Sequence, residues 1–113
     1  MKKKQKATEV ADAGALEAPS VLKLESLCTL RESIALKASL LEQLELGRDV
    51  ALDGSVVDRI DAAGLQLLVA FVRQVQFGGH QVSWLGESPE LRRIAAQLDL
   101  VDHIGLPAEA VLS

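Results

Sequence analysis

The stretch from Val50 to Val75, VALDGSVVDRIDAAGLQLLVAFVRQV, leaves this chain little freedom. It opens with a short apolar run, Val50 to Leu52, that Asp53-Gly54 closes, the pattern of a buried strand and its end. Ser55 to Ile60 form a brief link. Asp61 then stands just before a long apolar pattern of helical period. An Asp at that position accepts hydrogen bonds from the unpaired N–H groups of the first helical turn. Strand, link and capped helix, in that order, put a helix N-terminus with its partial positive charge at one end of a sheet.

At about 100° per residue, Gly64, Leu65, Leu67, Leu68, Phe71, Val72 and Val75 share one broad face of this helix, its core face. A glycine inside a helix costs up to about 1 kcal/mol relative to alanine. Gly64 on the core face therefore signals a close approach of the first turn to its neighbour. The opposite face carries Ala62, Ala63, Gln66, Val69, Ala70 and Arg73. These residues are mostly small and apolar where Lys and Glu are expected. Either a second layer of the same domain covers them, or they form a docking surface for another protein.

The flanking segments alternate between the two periods. Val21 to Leu24 and Ser26 to Leu30 read as short strands. Thr29 and Glu32 have capping-box spacing. From there Leu30, Ile34, Ala38, Leu41 and Leu44 recur at helical spacing to about Leu46, Leu36 and Leu40 widen the stripe, and Gly47 suits the helix end. Arg31, Lys37, Glu42 and Gln43 read as the solvated face. Gln81 to Leu85 form a strand with Val82 and Trp84 on one face. Ser88 caps a third helix with Pro89 at its first position, and Leu91, Ile94, Ala95 and Leu98 give its buried stripe. Leu100, Val101, Ile104 and Leu106 close the core. The order predicts a small α/β sandwich, a mixed sheet of about four strands with three main helices, in which the strands at Asp49–Asp53 and Gln81–Leu85 run parallel.

Length suits one domain, with 1–20 as a flexible N-terminal tail, 21–106 as the folded unit and 107–113 as a C-terminal tail. Phe71, Phe77 and Trp84 are the only aromatics, so the core is aliphatic. A net charge of -4 argues against a nucleic-acid partner. Cys28 has no partner for an internal disulfide and fits a reducing, cytoplasmic setting. No apolar run approaches the roughly 18 residues of a membrane span, so direct membrane insertion is not expected. Lys2, Lys3, Lys4 and Lys6 are followed by no apolar run, unlike a secretory signal.

No catalytic constellation is legible. His80 and His103 lack metal-ligand spacing, and Cys28 lies in an apolar strand as a core thiol. Ser55 and Ser88 sit in no nucleophile-elbow setting. Asp53, Asp58 and Asp61 cluster near one sheet end without a known cation-loop pattern. Gly78-Gly79 has no phosphate-loop lysine after it. The expectation is no enzyme, no metal and no cofactor.

The string Ile60-Asp61-Ala62-Ala63-Gly64-Leu65, after a strand ending in Leu52-Asp53, resembles the signature of the STAS domain, the family named after sulphate transporters and anti-sigma factor antagonists. The Trp84 strand and the Ser88-Pro89-Glu90-Leu91 helix start extend the resemblance over Val21 to about Leu106. It implies a non-enzymatic bacterial regulatory module with a STAS-like sandwich fold. Its partner would be a signalling kinase or anti-sigma regulator, a chemotaxis-associated assembly, or the ATPase of a lipid-transporting ABC complex. The partner site would comprise Asp61, Ala62, Ala63, Gln66, Val69, Ala70 and Arg73. In the antagonists the residue after the motif Asp is a Ser or Thr that a kinase phosphorylates. Here it is Ala62, which has no hydroxyl, so no phosphorylation is expected there; Ser55 is the neighbouring hydroxyl that could substitute. The reading from another class is a small-ligand or nucleotide binder holding an anion at the helix N-terminus.

Overall fold

The structure, a computed structural model, describes residues 18–108. The elements run β1 (Ser20–Lys23), β2 (Leu27–Cys28), a 3-10 turn (Leu30–Glu32), α1 (Ser33–Glu45), β3 (Val50–Gly54), β4 (Arg59–Ile60), α2 (Ala62–Phe77), β5 (Val82–Glu87) and α3 (Pro89–Gln97). The α/β sandwich with three helices is present. Its strands divide between two small sheets, β1-β3-β5 and β2-β4, and every pairing among the described residues is parallel. The two-residue strand β4 lies in what the sequence reads as a plain link. The expected tail over residues 1–20 lies outside the described residues except at its end, where Ser20 opens β1.

β3 is the middle strand and is buried on both sides. Leu22, Leu52 and Trp84 are in register across the large sheet, and Leu52 is fully buried. α1 and α2 pack against each other over this sheet. Leu65, Leu68, Phe71, Val72 and Val75 of α2 join Leu36 and Leu40 of α1 in one core with Val50 and Leu52. The register slips between Leu52 and Asp53, where β5 contributes Leu85 as an extra residue. That bulge brings Gly86 opposite Asp53. α3 docks beyond the strand ends: a Cβ on Gly54 would stand 2.7 Å from Leu91 Cδ2, so the missing side chain is the space α3 occupies. Ser88 and Pro89 start α3 as the sequence indicates, the Ser88 hydroxyl accepting the Leu91 N–H at 3.0 Å. Trp84 Nε1 donates to the Ile104 carbonyl at 2.8 Å and ties the C-terminal turns to β5. Arg92 pairs with the Glu87 carboxylate at the same end, Nη2 to Oε1 being 2.9 Å.

Two helix faces differ from expectation. On α1 the buried residues are Leu36 and Leu40, while Ile34 is 86% exposed and Leu30, just before the helix, 67%. The sequence holds two apolar stripes at helical spacing, and the core takes the one read as secondary. On α2, Val69 is buried at 6%, not on the outer face. Val69 joins the core cluster, so the buried face of α2 is broader than the expected stripe.

Gly64 meets the requirement its position implies. A Cβ there would lie 2.0 Å from the Cys28 carbonyl oxygen, a backbone atom that cannot swing aside. Gly64→Ala, which in an open helix would stabilise by up to about 1 kcal/mol, is expected to destabilise this protein by about 1–3 kcal/mol through overpacking. Urea denaturation reads the shift; an unchanged or higher midpoint contradicts the close approach.

Candidate functional site

The site is assembled where β2, β4 and the start of α2 converge. Asp61 has extended backbone, φ −126° and ψ −174°, and caps α2. Its Oδ1 accepts the Gly64 N–H at 3.0 Å. Its Oδ2 accepts the Leu30 N–H, also at 3.0 Å. One carboxylate thus satisfies the first turn of α2 and the start of the 3-10 turn that leads into α1. The backbone N–H of Gly64, then that of Leu30, holds its pKa below the usual value. Next to it the capping box of Thr29 and Glu32 is formed. The Thr29 hydroxyl accepts the Arg31 N–H at 3.3 Å. Glu32 Oε1 accepts from the Thr29 N–H at 2.9 Å and from its hydroxyl at 2.6 Å. These bonds, that from the hydroxyl first, lower the Glu32 pKa.

The residues expected to form the partner face divide. Ala62, Gln66, Ala70 and Arg73 are exposed and Ala63 and Asp61 half-buried, all on the outer side of α2. Val69 belongs to the core. Leu30 and Ile34 join the exposed surface on the neighbouring element, and the sequence reading assigned them to the interior. The signal that could have found them is the second apolar stripe of α1. Ala62, Ala70, Leu30 and Ile34 present small or apolar side chains, with Gln66 and Arg73 among them, and the neighbouring Asp61 carboxylate is already engaged by backbone donors.

Chemistry is sparse around this surface. Cys28 lies beneath Gly64 and is 1% exposed; burial first, then Glu32 and Glu25, pushes its thiol up to about 11. Such a thiol is a poor nucleophile at neutral pH. Ser55 is exposed at the end of β3, and its N–H donates to Asp53 Oδ1 at 3.0 Å. The hydroxyl of Ser55, ahead of its N–H, keeps the Asp53 pKa low. A phosphate on Ser55 would meet that carboxylate at close range, an unfavourable like-charge contact. Asp53, Asp58 and Asp61 do not converge: among the described residues no group of three or more His, Cys, Asp or Glu is placed to hold a metal ion. His80 Nδ1 stands 3.5 Å from Asp49 Oδ1 at the far end of the helix layer. No helix among the described residues is long and apolar enough to cross a membrane.

Compared with known protein families, residues 12–107 match the family described as "Mlab, STAS domain", which covers most of the chain. The matched span begins before the first strand, inside the segment expected to be a tail. No curated protein matches.

The Asp61 bridge generates a test. Asp61→Ala removes both acceptors and is expected to destabilise by about 1–2 kcal/mol, toward the upper end of cap losses. Asp61→Asn retains one carbonyl oxygen and loses the other acceptor, so it should fall between. The sign with pH follows from the lowered pKa. The carboxylate's contribution is fully present above the ordinary Asp value of 3.8 and is lost as pH falls through the lower folded value. Urea midpoints of wild type and Asp61→Asn should therefore differ at neutral pH and converge in acid. A difference that grows in acid contradicts the bridge.

Proposed function

The chain belongs to the STAS domain family, and from that premise we propose that it is a protein-docking module whose partner site is the outer surface of the first turns of α2. STAS domains are generally non-enzymatic binding modules, and no catalytic role is assigned to any residue here. The observation that carries the reading is the exposed set Ala62, Gln66 and Ala70 beside Leu30 and Ile34. Small side chains let a partner backbone approach closely and lose little entropy when covered. The exposed apolar neighbours supply area to bury.

The module acts without a phosphate switch at the motif position, because the Ala62 methyl offers no oxygen for phosphoryl transfer. A signalling assembly, including one of chemotaxis type, is the first partner class we infer from the family. The ATPase of a lipid-transporting ABC complex is the second. An anion-binding role for the α2 N-terminus is disfavoured on physical grounds. Asp61 already occupies the position of an anion there, bonded by the N–H of Gly64 and, secondarily, that of Ala63.

Affinity purification from the native cell, followed by mass spectrometry, identifies the partner and separates the two classes. Ala63→Arg and Ala70→Glu are expected to fold with melting temperatures near that of wild type and to lose that partner. Val69→Glu is expected to unfold instead, since it places a charge in the core. Retention of the partner by both folded variants would sink the docking surface. Ala62→Ser should leave stability within about 0.5 kcal/mol, as exposed substitutions do. Phosphate mapped to Ser55 of the wild-type protein would show a switch relocated to that hydroxyl.

A further inference from the structure

α1 carries an apolar line that the core does not use. Leu30, Ile34 and Leu41 are 67%, 86% and 47% exposed, and Ala38, between the last two, is exposed as well. The opposite side of the same helix, with Leu36 and Leu40, serves the core. A helix that is apolar on two sides and solvated on one of them implies a second contact.

The charges along this line are ordered. Arg31 stands at its N-terminal end and Glu42 and Glu45 toward its C-terminal end, all exposed. At about 100° per residue, Arg31 and Glu42 fall on the same flank of the line. When two copies of a helix meet antiparallel about a two-fold axis, each N-terminal half lies against the other's C-terminal half, and each flank meets its own kind. Arg31 of one copy then faces Glu42 and Glu45 of the second, twice by symmetry. Ile34 meets Leu41 of the second copy, and Ala38, the smallest member of the line, falls near the crossing where close approach is needed. The helix dipoles also oppose favourably. A parallel pairing would leave Arg31 level with the other copy's N-terminal end, about 16 Å along the axis from Glu42, and would turn like flanks away from each other. Lys37 lies on the other flank, the one shared with Leu44, and faces its symmetry mate; its long stem reaches solvent.

We propose that the outer face of α1 is a self-association surface, through which two copies of this chain pair antiparallel about a two-fold axis near Ala38. This surface shares Leu30 and Ile34 with the docking surface assigned above, so pairing and partner binding compete for those two side chains.

Sedimentation of the full chain over a concentration series tests it, with far-UV circular dichroism as the folding control. Wild type should pass from monomer to dimer as concentration rises. Ile34→Glu should weaken the dimer by about tenfold or more; Leu30→Gln serves the same purpose should that variant lose its helical spectrum. Arg31→Glu should weaken the dimer too. Combining Arg31→Glu with Glu42→Arg and Glu45→Arg should restore it, since the reversed charges again face one another. A wild type monomeric up to millimolar concentration overturns the proposal, as does a dimer indifferent to Ile34→Glu and Leu30→Gln. A dimer that the triple reversal fails to restore overturns the antiparallel pairing.

Discussion

One carboxylate ties the start of α2 to the turn that leads into α1. Asp61 bonds the Gly64 N–H with one oxygen and the Leu30 N–H with the other. The first bond starts α2; the second fixes where the chain turns into α1. Because Gly64 lies over the Cys28 carbonyl, the two segments are also pressed together sterically. A side chain at Gly64 would push α2 away from β2, and Asp61 could then no longer reach Leu30. The spacing of Asp61 and Gly64 is thus a constraint on tertiary structure as much as on a helix start.

Local signals in the sequence carried far. The caps at Asp61 and Ser88 and the proline at the first position of α3 are each decided by residues within one turn of one another, and the apolar run at Val50 to Leu52 and the glycine at position 64 mark buried contacts by residue type alone. The helix end at Gly47, with φ +63°, is of the same kind. What failed was choice among nonlocal alternatives. α1 offers Leu30-Ile34-Ala38-Leu41 and Leu36-Leu40 as helical stripes, and periodicity cannot say which one meets the sheet. Val69 shows the same limit: it stands at the edge of the apolar stripe, and its burial depends on tertiary packing that spacing does not encode. β4 escaped because two residues carry no period, and its pairing with β2 is a fact about the fold rather than about Arg59 and Ile60.

The site was legible in part for the same reasons. Asp61 and the small residues Ala62, Gln66 and Ala70 stand where the capped helix puts them. The contribution of Leu30 and Ile34 was hidden by the wrong choice of stripe on α1, and the second bond of Asp61 spans thirty-one positions in sequence, beyond any local pattern. The absent hydroxyl at Ala62 is the plainest statement the chain makes about its chemistry.

The single tryptophan sits at a revealing point. Its ring reaches within 3.0 Å of where a Gly54 Cβ would be, while its indole N–H is tied to the Ile104 carbonyl. Strand end, third helix and C-terminal turns therefore share one chromophore, in a chain with no tyrosine to obscure it. Loosening of the C-terminal turns from the sheet breaks that indole bond and changes the polarity around the ring. The protein carries its own optical reporter for the seam between its sheet and its closing turns.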